Sequence, residues 1–171
     1  MTGGQPLDIA AGLRHTERIL NEVLPGGPAH PQFQRILAIL RPFAEAWQPS
    51  ALAHNDFYDD QLILTPEGRI ALVDFEEAGP GDPMLDVGNM LAHMDWMARF
   101  NPRRERYAAY HAAFRQAALA RLGWDPRELA LREGFALFRL ASNPVRHFRE
   151  NSLEKVETLL TLALEVLEGN R

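Results

Sequence analysis

Leu52-Ala53-His54-Asn55-Asp56-Phe57-Tyr58-Asp59-Asp60-Gln61, continuing as Leu62-Ile63-Leu64, Thr65-Pro66-Glu67-Gly68-Arg69 and Ile70-Ala71-Leu72-Val73-Asp74-Phe75, is the stretch on which the reading of this sequence turns. Its first ten residues form a polar loop entered from an apolar residue and left by an apolar run, and such loops carry function more often than cores do. The two short apolar runs around a Pro- and Gly-containing segment predict a β-hairpin. Pairing Thr65 with Ile70 around a Pro66-Glu67-Gly68-Arg69 loop sets Gln61 opposite Asp74, which brings two distant polar residues together.

Outward from this hairpin the sequence reads as helix. Before it, Leu7 to Leu24 has apolar residues at helical spacing and stops at Pro25-Gly26-Gly27-Pro28. Pro31 to Trp47 repeats the pattern, with Pro42 as a potential kink. After Gly79-Pro80-Gly81, Asp82 is positioned to cap a helix with Pro83 at its first position, running to about Arg99. Three more helices are predicted: Arg103 to Leu122 stopped by Gly123, Pro126 to about Ser142 capped by Asp125, and Ser152 to Glu168, where Asn151 and Glu154 have capping-box spacing. The predicted fold class is mainly α with a small β-hairpin, in a single domain over residues 1–171.

The composition excludes several classes. With 171 residues, 46% hydrophobic and 24% charged, the chain is long enough to bury a core and too apolar to be disordered. It has no Cys, which removes disulfides and Cys-based metal sites and favours a reducing, cytoplasmic location. No leader pattern or membrane-length apolar run is present. A net charge of −5 argues against nucleic acid as the main partner. Between Asp56 and Asp86 there are nine acids and one base, Arg69, so this segment carries −8 and the remainder +3. Concentrated carboxylates are stable when solvated, paired or neutralised by a hard cation such as Mg²⁺.

The hairpin returns the chain to its starting end, near Asp56. One carboxylate, Asp56, is then placed to take a proton from a hydroxyl, while Asp74 and Gln61 supply anionic and neutral oxygen to a metal; phosphoryl transfer requires this division of labour. Ordinary readings exist for each residue alone. Lone loop acids are usually solvated, as Asp59 and Asp60 are expected to be, and Asp82 needs no role beyond capping. Glu76 and Glu77 are in reach of metal or substrate, with solvated acids at least as good a reading of them. A transition-metal site joining His54 and Asp56 to His93 or His111 lacks a paired-His helix motif and ranks low.

The joint pattern His54-Asn55-Asp56, Gln61, Asp74-Phe75-Glu76 and Gly81-Asp82-Pro83-Met84-Leu85-Asp86 resembles the aminoglycoside and choline kinase-like phosphotransferases, relatives of protein kinases. The resemblance is close over about Leu52 to His93. It implies that Asp56 is the catalytic base, that Gln61 and Asp74 are metal ligands, that His54 and Asp86 brace the loop, and that Glu76 is a further candidate. It also implies ATP and Mg²⁺ as cofactors and a small-molecule hydroxyl as substrate. In these terms residues 52–61 are the catalytic loop, 62–75 the hairpin, 74–86 the metal-binding segment, and 83–168 the helices of a kinase-like C-terminal lobe.

Two departures accompany the resemblance. The amide is usually Asn and is Gln61 here, one methylene longer. No Gly-rich strand-turn-strand precedes Leu52, and the single Lys, Lys155, falls in the last predicted helix. The N-terminal lobe and its ATP-pairing Lys are therefore expected to be absent. The alternative readings that follow are an inactive remnant or split-enzyme lobe acting as a binding module and, ranked last, a metal-dependent hydrolase. Exposed apolar surface is expected around the first two helices and the hairpin face, open to a separate N-terminal lobe or to a homo-oligomer.

Overall fold

The computed structural model describes residues 7–146 and 151–170. In chain order the elements are α1 (Ile9–Val23), α2 (Pro31–Ala46), β1 (Ala51–Ala53), β2 (Leu62–Leu64), β3 (Ile70–Leu72) and β4 (Gly79–Gly81). The helices α3 (Pro83–Phe100), α4 (Arg104–Leu122), α5 (Pro126–Leu140), α6 (Asn143–Arg146) and α7 (Ser152–Leu167) complete the order. The fold is mainly helical with small antiparallel sheets. None of the described helices is long and apolar enough to cross a membrane. Two compact units divide the chain: Gln48–Trp124 with Leu7 form one, and Asp8–Trp47 with Asp125 onward form the other.

In the first unit, β1 pairs antiparallel with β4 and β2 with β3. The β1–β4 pair was not predicted, because Gly79-Pro80-Gly81 reads as a turn. Pro80 fits the strand because its carbonyl accepts the Leu7 N–H at 3.3 Å, on the side away from β1. Its missing N–H thus costs no ladder bond. Gly81 is required by close approach: a Cβ there would lie 2.0 Å from Asn55 Oδ1 and 2.9 Å from Ala53 Cβ. Asp82 caps α3 by accepting the Met84 N–H at 2.9 Å, with Pro83 at the first helical position.

The hairpin register differs from the predicted one by a residue. Leu62 pairs with Leu72, Ile63 with Ala71 and Leu64 with Ile70. Thr65 N–H then donates to the Arg69 carbonyl at 2.7 Å, and Val73 N–H to the Gln61 carbonyl at 3.0 Å. Gln61 is therefore opposite Val73 and not Asp74. The cause is Gly68, whose φ of 76° closes a three-residue loop of Pro66, Glu67 and Gly68.

The second unit is a helical bundle whose core includes Leu13, Leu20, Phe33, Ile36, Leu40, Phe135, Phe138, Leu159 and Leu160, all buried. Phe33 stacks on Phe138 with centroids 5.9 Å apart, and Arg132 lies over the Phe43 ring at 5.0 Å. Pro42 leaves α2 unbroken. The Ala38 carbonyl that loses its partner belongs to an exposed residue, so the lost bond is not a buried one. The Asn151 capping box is not formed: Asn151 has φ 54°, outside the extended region an N-cap needs, and its side chain makes no cap bond. α5 ends at Leu140, two residues before the predicted end near Ser142, the short α6 that follows was not predicted, and residues 147–150 lie outside the described residues. Exposed large apolar side chains cluster on the hairpin, as expected, but among the described residues of α1 and α2 only Val23 is one.

Candidate active site

The polar loop leaves β1 at Ala53 and is held at its base by α3. Asp86, in the first turn of α3, accepts the backbone N–H groups of His54 at 2.7 Å and Asn55 at 2.8 Å through its two carboxylate oxygens. One turn further on, buried Asn89 donates its Nδ2 to the Phe57 carbonyl at 3.1 Å. α3 thus fastens both ends of His54-Asn55-Asp56-Phe57. Burial pushes the Asp86 carboxyl above its ordinary value and the Asp82 charge adds to this, while the two amide N–H groups and His54 pull the other way.

His54 ties the loop to the hairpin. Its ring is buried and its Nε2 donates to the Val73 carbonyl at 2.9 Å, immediately before Asp74. Phe75, on the other side of Asp74, has its ring centroid 5.1 Å from that of His54. Asn55, with φ 66°, donates its Nδ2 to the Glu77 carbonyl at 2.9 Å. Asp74 itself has φ 61°, a left-handed conformation that Asp and Asn adopt more readily than most residues. Such strained residues persist where the surroundings over-determine them, and they cluster at functional sites.

Gln61 ends a 3-10 turn over Asp59–Gln61 that precedes β2, and its side chain is buried. Although the register sets it opposite Val73, its Nε2 donates to Asp74 Oδ2 at 3.3 Å. The extra methylene of Gln61, and the left-handed turn at Asp74, make that contact within the observed register. Asp56 is half-buried in the loop that precedes Gln61. The hydroxyl of Tyr58 is raised above its ordinary value by burial first and then by Asp56, Asp60, Asp74 and Asp59 in that order. Asp56 and Asp74, eighteen positions apart in sequence, therefore act on one phenol. Asp59 is likewise raised, by burial and by its neighbour Asp60, against its own backbone bond.

The loop acid, the amide–carboxylate pair and the helix carboxylate that fastens the loop are the surroundings in which the joint sequence pattern sits. The model of the phosphotransferase enzyme family matches residues 7–131. The chain belongs to this family, that of the aminoglycoside and choline kinase-like enzymes. No curated protein and no solved structure matches it. The match embraces the whole phosphotransferase loop, hairpin and α3, and extends to α1 and α2.

Among the residues singled out from the sequence, the structure brings Gln61 to Asp74, Asp86 to the loop backbone and His54 to the residue before Asp74. Glu76 is exposed. His93 stacks on Tyr58 with centroids 4.4 Å apart, and His111 Nε2 lies 3.7 Å from buried Asp95. The two histidines are thus engaged apart from His54. Sequence reasoning missed Tyr58, Asn55 as a structural donor, and Asn89. A signal for Asn89 was present: an amide three positions after Asp86, on the same side of the helix, is placed to reach the same loop.

Proposed function

We propose that this phosphotransferase moves the γ-phosphate of ATP to a hydroxyl of a small molecule, with Asp56 as the catalytic base. The observation that carries the reading is the Gln61–Asp74 contact beside a loop whose backbone is fixed by Asp86 and His54. That arrangement leaves the Asp56 carboxylate without a structural bond of its own to satisfy among the described residues. Asp56 accepts the proton of the acceptor hydroxyl as its oxygen bonds to the γ-phosphorus and the bond to ADP breaks. Asp86 and His54 hold Asp56 in place, which supplies the orientation the reaction needs.

The donor set fits a hard cation. Asp74 offers carboxylate oxygen, and Gln61, whose Nε2 donates to that carboxylate, would offer its amide oxygen once the amide turns over, a set of oxygen donors that suits Mg²⁺ more than a transition metal. When bound there, Mg²⁺ would neutralise charge on the phosphate oxygens. Asp74 would supply the anionic ligand and Gln61 the neutral one, so the pair limits repulsion within a segment already rich in acids.

The test is ADP release by the purified chain with ATP, Mg²⁺ and a panel of amino, sugar and amino-alcohol acceptors. Acceptor-dependent ADP formation is expected, with Asp56→Ala losing about 10²–10⁴-fold in kcat. Retention of turnover in that variant would remove Asp56 from its role. A second reading is favoured by one observation: the only Lys, Lys155, lies in α7. An inactive remnant or split-enzyme lobe would show neither acceptor-dependent turnover nor measurable ATP affinity in calorimetry, which separates the two readings.

A further inference from the structure

Two neighbouring side chains of the loop, His54 and Asn55, hold the segment that carries Asp74. Residues 73–78 join β3 to β4, and His54 Nε2 donates to the Val73 carbonyl at their start. Asn55 Nδ2 donates to the Glu77 carbonyl near their end, at 2.9 Å. Among the described residues this is the only hydrogen bond between the loop, residues 54–61, and residues 75–78.

Asn55 is a less stable choice for its position than Gly. Its φ of 66° asks only for the left-handed backbone that Gly adopts freely. Its amide can take one orientation: Nδ2 must face the Glu77 carbonyl, so Oδ1 points the other way, where it is buried and accepts no hydrogen bond among the described residues. Gly81 lies on that side, where a Cβ would fall 2.0 Å from the oxygen. A buried acceptor left unpaired is destabilising, and a Gly at position 55 would have none. Glu77 is an exposed residue, so the bond that Gly would forgo is not a buried one. The side chain thus stands against stability, and groups of that kind cluster at functional sites.

We propose that Asn55 is a positioning residue, whose amide fastens the segment bearing Asp74 to the loop bearing Asp56 and so sets the two carboxylates relative to each other. The inference deepens the phosphotransferase reading and rests on it for the meaning of the two acids. Asn55 acts at both ends. Its own N–H is held by Asp86 Oδ1 at 2.8 Å, directly before Asp56. Its side chain holds the turn in which Ala78 N–H donates to the Phe75 carbonyl at 3.1 Å. That turn begins next to Asp74, so loosening it frees a carboxylate whose own bond to the loop is the 3.3 Å contact with Gln61 Nε2. Misplacing a reacting group by about 1 Å costs about 10²-fold in rate.

Asn55→Gly separates this role from a structural one, because it retains the backbone conformation while removing both the donor and the unpaired oxygen. Its Tm is expected to equal or exceed that of wild type. Its kcat for ADP release is expected to fall about 10- to 100-fold at unchanged acceptor KM. Mg²⁺ affinity, read by calorimetry, is expected to fall roughly three- to tenfold, as the loss of one hydrogen bond implies. Asn55→Asp, which has the same shape and accepts the same φ but offers no donor, is expected to lose turnover as well. Hydrogen exchange gives a readout without nucleotide: residues 75–78 are expected to exchange faster in Asn55→Gly, with α3 unchanged. A Tm that falls in step with kcat would give Asn55 a structural role, and wild-type kcat in Asn55→Gly would remove it from positioning; either overturns the inference. Turnover retained by Asp56→Ala but lost by Asn55→Gly would instead remove Asp56 as the base and leave the tether standing. In a wild-type chain with neither turnover nor Mg²⁺ affinity the phosphotransferase reading fails, and exchange at residues 75–78 alone decides the tether: unchanged rates in Asn55→Gly overturn it.

Discussion

Gly81 shows how a residue without a side chain can fix one that has chemistry beside it. Its lack of a Cβ leaves open the space that the Asn55 side chain occupies as it reaches the Glu77 carbonyl. Gly81→Ala would drive a methyl group into Asn55 Oδ1 and Ala53, so a loss of about 1–3 kcal/mol is expected in urea denaturation, accompanied by loss of phosphotransfer. Asp86 gives a pH test. Its folded value lies above the ordinary 3.8 because burial disfavours the charge. A raised folded value means that the folded state binds the proton more tightly, so the stabilisation is fully present below the unfolded value and is lost as pH rises through the folded one. The stability margin of wild type over Asp86→Asn is therefore expected to be largest near pH 3.5 and to shrink above it. A margin that widens with pH would show that the His54 and Asn55 N–H bonds outweigh burial.

At the scale of elements, helix boundaries follow local chemistry closely. Gly123 takes a left-handed C-cap with φ 65°, and Asp125 and Asp82 cap α5 and α3 as their spacing suggests. The failures are as local as the successes. The hairpin register depends on whether four or three residues make the turn, which Gly68 decides by adopting positive φ, and β4 forms from residues whose propensity is against it. In the helical unit, α5 meets α7 at Gly134, where a Cβ would lie 2.5 Å from Leu167 side-chain atoms. Gly134→Ala gains helix propensity of up to about 1 kcal/mol but overpacks this contact by about 1–3 kcal/mol. Net destabilisation is expected in thermal unfolding; a raised Tm would mean that Leu167 moves aside without cost.

At the scale of the whole molecule, the charge division of −8 against +3 concentrates the acids on one segment. If Asp74 and Gln61 hold Mg²⁺, the ion binds the folded chain alone and raises its stability by about 2.7 kcal/mol at a hundredfold excess over Kd. Scanning calorimetry with Mg²⁺ and with chelator is expected to show a Tm rise that Asp74→Asn removes. An equal rise in that variant would assign the effect to general screening of the acidic segment.

The residue types of the site, and the helices on either side of it, were legible in the sequence because caps, glycine stops and the 3.6-residue period act over a few positions. Asp56, Gln61, Asp74 and Asp86 stood out through their joint spacing. What tertiary structure alone decided was which atoms meet. Gln61 reaches Asp74 from a register that sets it beside Val73, Asn89 takes up the Phe57 carbonyl, Tyr58 gathers the field of four carboxylates, and Asn151 makes no side-chain bond to the helix its spacing assigns it to cap. Spacing along a chain limits which side chains can approach, whereas backbone sign at a single residue and the demand that buried polar groups be satisfied select among those approaches, and both depend on neighbours far away in sequence.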